Sequence, residues 1–192
     1  MSDKTLPFPK KRNLFFSKQV DQESIEKLSK EIIEINHDDE YIKKIYAIND
    51  LKYKPKPIKI FIDSYGGVIY QCFGLVGIME NSETPVYTYV TGTAMSAGFL
   101  ILICGHRRFS YPLATPLYHQ LTSEMCGNVD DVENELFEMK RLQKKMEDII
   151  IKKTKITKEK LQEIDGKKRD WFITPKQALK LGVIDEILAK ET

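Results

Sequence analysis

Three residue types that together can hydrolyse an acyl bond stand far apart in this chain: Ser96, His119 and Asp170. Ser96 lies in Val90-Thr91-Gly92-Thr93-Ala94-Met95-Ser96-Ala97-Gly98, where a β-type segment with a small-residue turn runs into the wholly apolar stretch Phe99-Leu100-Ile101-Leu102-Ile103. A hydroxyl at the first turn of a buried helix is held in a fixed place. It sits beside unpaired backbone N–H groups and the positive end of the helix dipole. Serine is also a common helix cap, so this run alone does not separate a nucleophile from a capping residue. Serine hydrolysis further needs a base to take the hydroxyl proton and an anion to fix the tautomer of that base. His119, in Pro116-Leu117-Tyr118-His119-Gln120, and Asp170, in Lys167-Lys168-Arg169-Asp170-Trp171-Phe172, are of those types. Taken by itself, Asp170 reads equally as a surface carboxylate paired with Arg169 or Lys168.

A fourth feature concerns the backbone. Ile60-Phe61-Ile62-Asp63-Ser64-Tyr65-Gly66-Gly67 reads as a strand ending in a Gly-Gly corner. With no side chain in the way, a main-chain N–H there can approach a ligand closely. The order Ser, His, Asp differs from the orders found in chymotrypsin, subtilisin and the α/β-hydrolases.

The elements that must carry these residues repeat a strand-turn-helix unit. The patterning predicts a buried strand over Ile58 to Asp63 and a helix over Val68 to Glu80, with Ile69, Phe73, Val76 and Met79 near helical spacing. A second strand follows over Val86 to Thr91, then a helix from Ser96 to Cys104. Strands joined through helices imply a parallel sheet whose sharp strand-to-helix turns share one edge, so Gly67 and Ser96 are expected to meet. Asn128 caps a long helix with Asp130 and Asp131 in its first turn and lysines at its end. Its apolar face comprises Val129, Val132, Leu136, Met139, Met146 and Ile149, widened by Leu142 and Ile150. Such a stripe serves either core packing or a subunit contact. A last helix has Thr174 as N-cap, Pro175 in the first turn, Gln177 at the capping-box position and Gly182 just past the end.

Four blocks of this sequence resemble the proteolytic subunit family of the Clp protease, from about Arg12 to Leu188. Asp63-Ser64-Tyr65-Gly66-Gly67 is similar to the family's Asn-Ser-Pro-Gly-Gly, and Gly92-Thr93-Ala94-Met95-Ser96-Ala97-Gly98 to its Gly-Gln-Ala-Ala-Ser-Met-Gly. Tyr118-His119-Gln120 resembles an Ile-His-Gln. Arg169-Asp170-Trp171-Phe172 with Ala178, Gly182 and Ile184-Asp185 resembles the family's closing blocks. The resemblance implies an α/β chain of the ClpP/crotonase-like fold with a long handle helix over residues 128–153. It implies a short N-terminal tail, 1–11, followed by one peptidase domain, 12–192. Ser96 would be the nucleophile, His119 the general base and Asp170 its orienting partner, with the N–H groups of Gly67 and Ala97 as the oxyanion hole. It also implies heptameric rings stacked as a tetradecamer, in which Arg169 pairs with Asp131 of a facing subunit. The substrate would be a peptide or an unfolded protein.

Some positions depart from the family. The leader before Arg12 is short, and Lys59 and Phe61 fall where the family's pocket for unfoldase loops carries tyrosines, which puts docking of an ATP-driven unfoldase in question. Residues 38–57 form an insertion rich in Tyr and Lys. Tyr65 replaces the proline before the glycine corner.

Composition fits a compact enzyme of 192 residues with 42% hydrophobic and 30% charged residues, which excludes a disordered chain. With 30 basic against 28 acidic residues, the net charge of +2 argues against nucleic acid. Cys72, Cys104 and Cys126 read as free thiols of a reducing compartment. His37, His106 and His119 have no metal-ligand spacing, so neither metal nor cofactor is expected, ATP belonging only to a partner unfoldase. No apolar run spans a bilayer and the N-terminus has no secretion-signal core, so the expected location is cytoplasmic. The expected activity is a serine endopeptidase working through an acyl-enzyme. A silent ring subunit, a processing protease of viral type and a crotonase-like acyl-CoA enzyme are the alternatives.

Overall fold

The computed structural model describes residues 11–167 and 169–188. The chain runs β1 (Asn13–Phe16), α1 (Gln22–Ile48), β2 (Ile58–Ser64), α2 (Ile69–Glu80), β3 (Val86–Met95), α3 (Ala97–Ile103), β4 (Arg107–Ser110), β5 (Thr115–Tyr118), α4 (Val129–Lys153), α5 (Lys158–Gly166), β6 (Trp171–Phe172), α6 (Pro175–Lys180) and β7 (Glu186–Ile187). The strand-helix alternation produces the parallel sheet expected of it, in the order β1-β2-β3-β4-β7. β5 pairs parallel with β3, and β6 joins β5 antiparallel.

β3 is longer than its apolar run suggests, because the strand continues through Gly92-Thr93-Ala94-Met95 instead of turning there. Its first half pairs with β2 and β4, and residues 93–95 pair with β5. Asp63 holds the changeover: its carboxylate accepts from Thr93 N at 2.8 Å and from Thr93 Oγ1 at 3.1 Å. A Cβ on Gly92 would lie 2.6 Å from that carboxylate, so glycine is required for the brace.

α3 is apolar all round and buried throughout, as a helix without a polar face must be. It packs against β3, α2 and α4. The insertion over 38–57 is the second half of α1 and the segment that returns from it. Asp39, buried on α1, receives Arg12 Nη1 at 2.7 Å, Tyr53 OH at 2.5 Å and Thr84 Oγ1 at 2.5 Å, and Arg12 Nη1 also donates to Lys56 O at 2.9 Å. One buried ion pair thus ties the start of β1, the middle of α1, the returning segment and the approach to β3.

On α4 the buried stripe is Leu142, Met146 and Ile150. Two of these are the positions that widen the apolar face in sequence, while Val129, Leu136 and Phe137 in the first half stand exposed. The cap geometry matches the sequence reading: Asn128 Oδ1 accepts from Asp131 N at 3.0 Å, and Asp131 Oδ2 accepts from Asn128 N at 3.4 Å. At α6, Thr174 and Gln177 form the expected box and Gly182 takes φ +67°.

Candidate active site

Ser96 occupies the cap position of α3 with φ 54° and ψ −120°, a left-handed-side conformation that L-residues seldom adopt. Its hydroxyl makes no capping bond to the helix. A serine kept for capping would be extended and hydrogen-bonded to the first turn. This one is instead strained and its hydroxyl free of the helix, the geometry of a side chain displayed on a sharp strand-to-helix turn. The turn is anchored because Ser96 N donates to Leu117 O at 3.1 Å, joining it to β5 two residues before His119.

The Gly-Gly corner packs directly on this turn. A Cβ on Gly66 would lie 2.6 Å from Met95 O, 2.7 Å from Ser96 Cβ and 3.0 Å from Ala97 N, and one on Gly67 would meet Val20 O at 2.3 Å. Both glycines have positive φ, +97° and +146°. Val20 holds the corner through its own backbone: Val20 N donates to Gly66 O at 2.8 Å and Val68 N to Val20 O at 2.8 Å, leaving the Gly67 N–H between them without an acceptor among the described residues. Ser64 Oγ receives Gly66 N at 3.2 Å and donates to Lys18 O at 2.5 Å. Ala97 is the first residue of α3, so its N–H has no partner within the helix. Two main-chain donors, Gly67 N–H and Ala97 N–H, therefore flank the Ser96 turn.

Two cavities, of about 590 and about 600 Å³, share Gln19, Gly67, Ser96, His119 and Thr122 in their walls. The structure so brings Ser96, His119 and Gly67 to one place. Asp170 is exposed, and among the described residues no hydrogen bond links Ser96 Oγ to the His119 ring or that ring to Asp170. His119 and Asp170 adjoin the ends of two paired strands. β5 and β6 pair Leu117 with Phe172 and Tyr118 with Trp171. That pairing ends at Tyr118 and Trp171, so His119 and Asp170 each stand one residue past it.

Sequence reasoning missed Cys72. On α2 it is fully buried, and its thiol donates to Ala97 O at 3.2 Å, holding the carbonyl of the residue whose own N–H would be an oxyanion donor. Burial pushes that thiol far above its ordinary range, as it pushes Cys104 up to about 12. Both are inert packing groups, and the three cysteines are unpaired, Cys126 being exposed. Cys72 carried no signal in the sequence beyond its place on an amphipathic helix. Among the described residues no His, Cys, Asp or Glu group clusters to hold a metal, and no helix is long and apolar enough to cross a membrane. Arg169 is exposed, and Asp131 serves its own cap. The tail, up to residue 10, lies outside the described residues, as does Lys168.

The sheet of strand-helix units and the glycine corner set on a strained serine turn define an α/β chain of the Clp protease type. The pattern of the Clp protease family matches residues 3–191, and the chain belongs to that family. It is 32% identical over 133 residues to an ATP-dependent Clp protease proteolytic subunit of Deinococcus radiodurans, covering 68% of this chain and 64% of that protein. It is 28% identical over 151 residues to ATP-dependent Clp protease proteolytic subunit 2 of Treponema pallidum, covering 78% of this chain and 74% of that one.

Proposed function

We propose that this chain is a serine endopeptidase of the Clp type, with Ser96 as nucleophile, His119 as general base and Asp170 as its orienting partner. The observation that carries the reading is the Ser96 turn, strained and uncapped, pinned through Leu117 to the strand that leads into His119, with both residues lining the same two cavities. In the reaction Ser96 Oγ attacks the peptide carbonyl carbon while His119 takes the hydroxyl proton. The carbonyl oxygen becomes an oxyanion facing Gly67 N–H and Ala97 N–H. Collapse breaks the C–N bond, His119 returns the proton to the leaving amine, and an ester remains on Ser96. Water, deprotonated by His119, then releases the acid and restores Ser96.

The same reading includes assembly into stacked heptameric rings. The exposed Val129, Leu136 and Phe137 on the first half of α4 support it, as apolar side chains on a helix half that leaves the core. In that assembly Arg169 meets Asp131 of a facing subunit and steadies Asp170. The sheet carries a row of stacked rings, Phe15 on Phe61 (5.1 Å), Phe61 on Tyr89 (5.0 Å) and Tyr89 on Phe109 (4.5 Å). Lys59 sets its ammonium 5.9 Å over the Tyr89 ring, a cation–π contact on the face where unfoldase loops would dock.

A fluorophosphonate probe and a short fluorogenic peptide test the reading. Wild-type protein labels at Ser96 and cleaves, and Ser96→Ala loses labelling and about 10⁴-fold or more of the activity. Rings that neither label nor cleave would establish a silent subunit instead.

A further inference from the structure

Both sides of His119 are tied to one polar cluster that the catalytic reading does not use. Tyr118, buried on β5, donates its hydroxyl to Asp165 of α5, 3.1 Å to Oδ1 and 3.3 Å to Oδ2. Gln143 of α4 stands at the centre. Its Nε2 lies 3.1 Å from Tyr118 OH, 2.7 Å from Glu147 Oε1 and 3.3 Å from Asp165 Oδ2, while its Oε1 accepts from Leu121 N at 3.0 Å. The residue before His119 and the second residue after it are thereby fastened to the same amide, and β5, α4 and α5 meet there.

The chemistry of the cluster is expensive for simple packing. Two carboxylates, Glu147 and Asp165, share one amide, and burial, with Glu147 close by, holds the Asp165 carboxyl above the usual carboxylate range. Apolar residues of similar size would fill the same space at less cost. What apolar residues would not do is fix a backbone N–H and a phenol oxygen at defined points on either side of a histidine.

We propose that Gln143, with Tyr118 and Asp165, is a positioning device that sets the His119 imidazole over Ser96, and that α4 acts on the base through it. This rests on the peptidase reading above. Gln143 touches neither substrate nor the reacting atoms. Its action is on the segment 118–121, and a histidine displaced by about 1 Å costs up to about 100-fold in rate.

The test compares wild type with Gln143→Met, which keeps the helix and the side-chain length but removes every tie that Gln143 makes, and with Tyr118→Phe, which removes one oxygen. Gln143→Met is expected to lose about tenfold in kcat on a short peptide with KM within about twofold, because only the base moves. Asp165→Leu is expected to follow it, whereas Asp165→Asn keeps an acceptor for the Tyr118 hydroxyl and stays within about twofold of wild type. A second readout does not depend on turnover: modification of His119 by diethyl pyrocarbonate, followed by peptide mass spectrometry, is expected to be at least about threefold faster in Gln143→Met once the segment is released. Wild-type kcat together with an unchanged rate of His119 modification, in Gln143→Met or, where that variant does not fold, in Tyr118→Phe, overturns the proposal. Wild-type protein that neither labels at Ser96 nor cleaves, with His119 still exposed faster in the variant, overturns the peptidase reading and leaves the positioning tie standing.

Discussion

At the scale of single residues, the corner Gly66-Gly67 and the turn Met95-Ser96-Ala97 are built against each other, with no space for one more carbon between them. Gly66→Ala puts a methyl group 2.6 Å from Met95 O and 2.7 Å from Ser96 Cβ, at a φ of +97° that alanine resists. The backbone strain alone is about 1–3 kcal/mol, and relief requires the corner to move off the serine turn. Gly66→Ala is therefore expected to stay folded with a lowered melting temperature and to lose about 100-fold in peptidase rate, as when an oxyanion donor is removed. Calorimetry and steady-state kinetics check both. A variant with wild-type kcat would mean that the Gly67 N–H takes no part.

Among the elements, α1 and the segment returning from it are held by the Arg12–Asp39 pair. Burial by itself would raise the Asp39 carboxyl, but hydrogen bonds from Arg12, Thr84 and Tyr53 outweigh it and hold the group below the usual carboxylate range. A depressed native pKa contributes stability that is present above the unfolded value, near pH 4, and is lost as the pH falls through the native one. Asp39→Ala leaves the buried guanidinium unpaired at a cost of about 3–5 kcal/mol. The expected drop in melting temperature, roughly 6–20 °C for a chain of this length, should shrink as the pH is lowered below about 4, because wild type then loses the same contribution. On α4 the division is along the helix. Leu142 is buried, and Leu142→Ala is expected to cost about 2–5 kcal/mol. Phe137 is 73% exposed, and replacing it should leave the stability of the isolated subunit nearly unchanged.

For the whole molecule, the proposed assembly rests on that exposed half of α4. Phe137→Glu places a charge where the apolar contact is expected, so sedimentation should move from a large particle toward single rings or subunits, with peptidase activity falling in parallel. Arg169→Ala asks a narrower question, because it removes one side chain beside Asp170 without touching α4. Loss of activity with or without loss of double rings agrees with Arg169 steadying Asp170 across the contact. Double rings with full activity would contradict it.

Much of this protein was legible in the chain itself. Period-two and period-3.6 patterning marked β2, α2 and the start of β3. The cap residues Asn128 and Thr174 marked where α4 and α6 begin, because caps and periodicity are local physics. The types Ser, His and Asp and the paired glycines were likewise visible, each with its candidate chemistry. Tertiary structure alone decided the rest. Long-range pairing stretched β3 to Met95 and took Ser96 into a strained conformation, and it joined β5 to β6, the strands next to His119 and Asp170. The insertion became a helix end stapled by Asp39, and Leu142 and Ile150 became the buried stripe of α4, because a helix's inner face is chosen by its neighbour and not by its own sequence. The Gln143 cluster was invisible beforehand, since its members come from β5, α4 and α5 and meet only when the three elements pack.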